Sequence, residues 1–86
     1  MKLLKSDIRY IGGAVFQEKG NCVFVFYDDC DYGVERIILR NLLQLFGKEY
    51  VIVSEEEYWD DNDRAEQHVY TNLPWDMFMN ATKDND

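Results

Sequence analysis

The chain of 86 residues carries seventeen Asp and Glu against nine Lys and Arg, a net charge of −8, with a pI of about 4.4. Apolar residues make up 47% and aromatics 15%, enough to build a core, which excludes wholesale disorder and leaves room for one domain, residues 1–86. No stretch approaches the ~18 apolar residues of a membrane span, MKLLKSDIRY lacks the apolar core of a signal peptide, and an acidic surface is repelled by nucleic acid and anionic membrane, so the expectation is a cytoplasmic protein that binds neither directly.

In chain order, IRYIGGAVFQ (8–17) alternates loosely and is interrupted by Gly12-Gly13, which suggests a bulge or sharp bend. Glu18-Lys19-Gly20-Asn21 has turn chemistry, and CVFVFY (22–27) is apolar on both faces. The two segments are expected to form a β-hairpin with 22–27 central in the sheet. Asp28, Asp29 and Asp31 suit a helix N-terminus. Val34, Ile37, Ile38, Asn41, Leu42, Leu45 and Phe46 then recur at helical spacing, Leu39 and Leu43 widen the stripe, and Gly47 is placed as a left-handed cap. The spacing predicts a helix over 32–46. Its stripe is broader than one sheet face requires, so part of it is expected to pack on a second helix or a second subunit, as in a homodimer.

EYVIVS (49–54) reads as a third strand. Ser54 with Glu57 has the form of a capping box, which predicts a second helix over 55–66; one helical turn followed by an Asp-Asn loop is the alternative. In the helix, Trp59 is expected to pack inward. QHVYTN (67–72) is expected as a short edge strand, Pro74 opens a last short helix with Trp75, Met77 and Phe78, and 82–86 are expected to fray. The fold class is therefore α+β: an antiparallel hairpin, a helix and a third strand (a ββαβ core), with one or two short C-terminal elements. The predicted core is Val23, Val25, Ile38, Leu42, Leu45, Val51 and Val53, supported by Phe24, Phe26 and Phe46. Cys22 and Cys30 are expected to be inert thiols, since carboxylates beside Cys30 disfavour its thiolate.

Charge is distributed unevenly. Residues 1–27 are net +2, residues 28–66 net −8 and residues 67–86 net −2. Glu55, Glu56, Glu57, Asp60, Asp61, Asp63 and Glu66 place seven carboxylates in twelve positions, opposed by Arg64. A solvated, solubilising face would explain many such runs. In a helix, however, Glu56/Asp60 and Glu57/Asp61 would repel at i,i+4, and solubility does not require such clustering.

Metal and catalytic chemistry fit these residues poorly. A calcium loop from Asp61 meets Glu66 where Gly is needed, and one from Asp28 meets Leu39 where Glu is needed. His68 is the one histidine, which leaves zinc without ligands and a general base without a nucleophile placed beside it. No Gly-rich phosphate loop is present. No cofactor, no metal and no enzymatic activity are expected.

Carboxylates a helical turn apart, or two residues apart on a strand, stand about 5–7 Å apart, close to successive phosphates along one DNA strand. With the charge, the small size, and the blocks DDCDYGVE (28–35) and EEEYWDDNDRAE (55–66), the chain resembles the anti-restriction DNA mimics of T-even-type phages. The resemblance implies an inhibitor, often dimeric, that occupies the DNA site of a host defence enzyme: a restriction endonuclease, including one dependent on modified cytosine, or a CRISPR nuclease. The partner-binding residues on this reading are Asp28, Asp29, Asp31, Glu35, Glu55, Glu56, Glu57, Asp60, Asp61, Asp63 and Glu66. An immunity or antitoxin-type nuclease inhibitor, which reads one partner's side chains, and an acidic adaptor are the alternatives.

Overall fold

Glu18 faces Asn21 across a two-residue turn. Lys19 and Gly20 both have positive φ, 52° and 85°, the type I′ combination whose twist matches that of the strands it joins. In the computed structural model, which describes residues 13–27, 32–59, 61 and 64–82, this turn joins β1 (Gly13–Glu18) to β2 (Asn21–Tyr27). The register is regular from Gly13↔Phe26 to Glu18↔Asn21, so the hairpin forms as the sequence predicts. No irregularity occurs at Gly13; Gly12 and the rest of 8–12 lie outside the described residues.

Helix α1 (Tyr32–Phe46) has the predicted span. It ends where the Gly47 N–H donates to Leu43 O (3.4 Å) and the Tyr50 N–H to Gly47 O (3.2 Å). Gly47 is not the compact left-handed cap expected: its φ is +156°, and a Cβ there would meet the Glu49 carboxylate at 2.7 Å. Glycine is required by that extended positive φ.

The main correction concerns 55–66. Instead of a helix, β3 (Ile52–Trp59) continues past Ser54, and β4 (Ala65–Pro74) returns antiparallel to it, with Asp61 in the connection. Three physical reasons favour the strand. Ile52, Val53, Tyr58 and Trp59 are strand formers. Extended backbone sends successive glutamates to opposite faces, where a helix would stack like charges. A period-2 inward row, Ala65, Val69, Thr71 and Leu73, gives β4 a buried face to pair with. Ser54 consequently stands opposite Tyr70 and caps nothing. The third strand is Ile52–Trp59 rather than 49–54, and 67–72 belong to a ten-residue interior strand rather than an edge.

The sheet order is β1-β2-β4-β3, antiparallel throughout, with β2 inside as predicted and β3 at an edge. Helix α2 (Trp75–Thr82) follows Pro74, its Trp75 N–H donating to Gly20 O at 2.8 Å. One sheet face carries Cys22, Phe24, Phe26, Val69 and Leu73 against Leu39, Leu42 and Leu43 of α1 and Phe78 of α2. Phe24 and Phe78 meet edge to face, centroids 5.7 Å apart, a favoured aromatic geometry. Val23, Val25, Leu42, Phe24 and Phe26 are buried as predicted, with Ile38 and Phe46 partly buried against the core. Leu45, Val51 and Val53 are not core residues: they are 53%, 49% and 63% exposed. Leu45 lies on the outer side of α1, and Val51 and Val53 lie at the sheet's free edge, where no further strand covers them among the described residues. Burial pushes the thiol of free Cys22 up to about 12, in keeping with an inert role.

Among the described residues, no helix is long and apolar enough to cross a membrane.

Candidate functional site

The β3–β4 hairpin gathers much of the acidic segment. Glu55, Glu56, Glu57 and Asp61 are exposed, and Glu66 is half-buried on β4. Register divides them by face. Glu55 and Glu57 stand opposite Val69 and Gln67, on the helix-bearing face; Glu56 and Glu66 stand opposite His68 and Tyr58, on the other. The single acidic helix face expected from sequence is thus replaced by an acidic edge that presents carboxylates on both sides. Glu35 sits apart from that strand, in the first turn of α1. Asp28, Asp29, Asp31, Asp60 and Asp63 lie outside the described residues.

Each of the three successive glutamates has its own side-chain partner. Arg36 Nη2 lies 2.9 Å from Glu55 Oε2. Glu56 accepts from the Tyr58 hydroxyl and from the Tyr70 hydroxyl, the latter at 3.3 Å. Glu57 accepts from Trp59 Nε1 at 2.5 Å and from Gln67 Nε2 at 2.6 Å. The hydrogen bond to Glu56, then that to Tyr70, raises the Tyr58 pKa well above its ordinary value. The Tyr58 ring also lies over His68, centroids 4.3 Å apart, and His68 Nε2 is 3.4 Å from Glu66 Oε2.

Trp59 does not pack inward as expected; it is 64% exposed, beside the carboxylate that accepts its N–H. The partners Arg36, Gln67 and Tyr70 are functional candidates that the sequence reading missed. The alternation Ala65, Gln67, Val69, Thr71, Leu73 was the signal available for the β4 residues; Arg36 has none, because its pairing is fixed only when α1 lies over the sheet.

This arrangement suits binding through fixed charge and exposed aromatics. Among the described residues no group of three or more His, Cys, Asp and Glu is placed to hold a metal ion. Comparison with protein-family models, with curated proteins and with solved structures finds no match.

Proposed function

We propose that the protein is a DNA-mimic inhibitor, and that its acidic β3–β4 hairpin occupies the DNA-binding surface of a host defence enzyme, a restriction endonuclease or CRISPR nuclease. The observation that carries this reading is the run Glu55-Glu56-Glu57 on an edge strand, each carboxylate held by a separate partner. Charges that only solubilise have no need of fixed positions. A surface that replaces phosphates does, because ordering it beforehand lowers the cost of association. Glu55 and Glu57, two residues apart on one face, are separated by about 6–7 Å, close to the phosphate repeat. Exposed Tyr58 and Trp59 add the aromatic anchors that dominate many interfaces. The protein contributes no chemistry of its own; its partner is a protein. It works as a homodimer through the exposed stripe Val34, Ile37 and Leu45 of α1. Asn41 lies four residues from both Ile37 and Leu45, so a second copy packed antiparallel sets Asn41 against Asn41 and Ile37 against Leu45.

The test is displacement of labelled duplex DNA from purified restriction endonucleases and CRISPR nucleases, followed by fluorescence anisotropy at several salt concentrations. The native protein should release DNA from one of these classes. Glu56→Lys with Glu57→Lys should slow association and flatten its salt dependence, since steering follows the local field. Lys2→Glu with Lys5→Glu, outside the acidic segment, should change little. Release of DNA from none of the enzymes, or equal release by the reversed variant, defeats the proposal. Release that withstands high salt but is lost in Trp59→Ala with the fold intact points to an immunity-type inhibitor instead.

A further inference from the structure

The molecule is acidic, yet one groove is walled by cations. Arg36, Arg40 and Gln44 follow one another at four-residue intervals along α1, a rise of about 6 Å per step, and Lys48 follows in the turn beyond the helix. These side chains line one side of a cavity of about 450 Å³, whose other side is the free edge of the sheet, including Val51 and Val53. Its ends are fixed by the chain. Arg36 pairs with Glu55 at one end, and Lys48 lies beside Tyr50 at the other. The helix and the strand segment therefore run antiparallel along a groove about 15–17 Å long, from their residue counts and rises.

Two features show what the groove lacks. Arg40 and Lys48 have no ion-pair partner among the described residues, whereas Arg36 already has Glu55. The Nε of Arg36 is buried without any hydrogen-bond acceptor, an uncommon state for a guanidinium N–H. The strand edge opposite is also divided. Residues 55–57 carry the charges that keep edge strands from pairing, while Ile52, Val53 and Ser54 carry none. Val53 is the extra residue where the β3–β4 register shifts between Ile52 and Ser54.

We infer that this groove binds an extended acidic peptide of a partner protein, which adds as a strand beside residues 51–54 with its carboxylates on Arg40 and Lys48. Arg40 and Lys48 are eight positions apart, about 12 Å, close to the ~13 Å between every fourth side chain of a strand, so a segment with acids at alternate positions reaches both cations while the acid between them faces the Gln44 amide. Its apolar residues would lie on Val51 and Val53, exposed hydrophobics that otherwise have no cover. This is β-strand addition with charge setting the choice of partner. A second copy of β3 suits the edge poorly, because symmetric antiparallel self-pairing centred on Glu56 places Glu55 against Glu57 and Glu56 against itself.

The probe is a fluorescein-labelled seven-residue peptide alternating Val and Glu, titrated with the full chain in an anisotropy assay. It should bind in preference to the Val/Lys peptide, and Arg40→Glu with Lys48→Glu should weaken it about tenfold or more, since two exposed ion pairs become two repulsions. Methylating alternate backbone amides of the Val/Glu peptide should abolish binding while leaving its charge and the protein untouched. Equal binding of the methylated peptide, or displacement by millimolar inorganic pyrophosphate as effective as by unlabelled peptide, would make this a simple anion site and overturn strand addition. Binding that weakens as the protein's own concentration rises would assign the edge to a second copy and equally overturn it. No binding of the Val/Glu peptide at millimolar concentration would remove the inference altogether.

Discussion

Arg36 of α1 and Glu55 of β3, nineteen positions apart in the chain, meet at 2.9 Å with side chains 39% and 27% exposed. The contact ties the helix to the free edge of the sheet at the point where the acidic run begins. Exposure limits its worth: such pairs contribute about 0.2–1 kcal/mol. A double-mutant cycle of Arg36→Ala and Glu55→Gln, read by urea unfolding, should return a coupling of that size. Arg36→Ala alone should cost more than Glu55→Gln alone, because it removes the cation that faces the acidic run and leaves the like charges of Glu55 and Glu57 on one face less screened. The coupling should shrink as salt is raised.

The two sides of α1 should respond very differently to truncation. Leu39 is fully buried against the sheet, while Leu45 is more than half exposed. Leu39→Ala should destabilise by about 2–5 kcal/mol through lost burial and the cavity left behind. Leu45→Ala should stay within about half a kcal/mol in the monomer. Chemical denaturation of both variants at low protein concentration distinguishes them.

Which parts of this fold could be read in advance follows from how local their signals are. The β1–β2 hairpin and α1 carry their own patterns: a turn of Lys19-Gly20, an apolar run from Cys22 to Phe26, and a 3.6 period from Leu39 to Phe46. Residues 55–66 carried a misleading one. Ser54 and Glu57 look like a helix start, but the alternation of β4 made a better partner available, and tertiary pairing overrode the local signal. The inward choice of Val51 and Val53 failed for a related reason: a β-branched run says strand, and only the strand order says edge. For the acidic site, the identity of Glu55, Glu56, Glu57, Asp61 and Glu66 was legible. Their division between two faces, and the partners Arg36, Gln67 and Tyr70, required the register.

The type I′ turn offers a direct gain. Lys19 sits at φ 52°, where Asn is far better tolerated than a long side chain. Lys19→Asn should stabilise the fold by a few tenths of a kcal/mol, up to about 1. Gly20→Val, a β-branched residue forced to φ 85°, should destabilise it. Thermal melts of the two variants in parallel check the sign of each change.

Alkaline pH should weaken the fold through Cys22. Burial holds the neutral thiol, raising its pKa from 9.0 to about 12 in the folded state. The stability this group contributes is complete below the unfolded value. It declines as pH rises through about 9 toward about 12, because the unfolded chain binds fewer protons there than the folded one. Under reducing conditions the unfolding free energy should fall between pH 8 and pH 10.5, and Cys22→Ala, though less stable at pH 8 through the lost sulfur, should show a smaller fall. The native thiol should also react slowly with a disulfide reagent at pH 8.

Association is expected to run through the outer stripe of α1. Val34, Ile37 and Leu45 are each about half exposed, and their positions recur on one side of the helix at spacings of three and eight residues with Asn41 between. Two antiparallel copies bring that stripe together with opposed helix dipoles, and the paired Asn41 amides fix the alignment by hydrogen bonding, as buried Asn does in helical pairs. Sedimentation equilibrium at micromolar concentration should show a species of twice the 10.3 kDa chain mass. Ile37→Glu with Leu45→Glu should return a monomer with the circular dichroism of the native fold, because neither side chain contributes to the core. A native protein that sediments as a monomer would show that the stripe is only tolerated exposure, and the hairpin would then act one copy at a time.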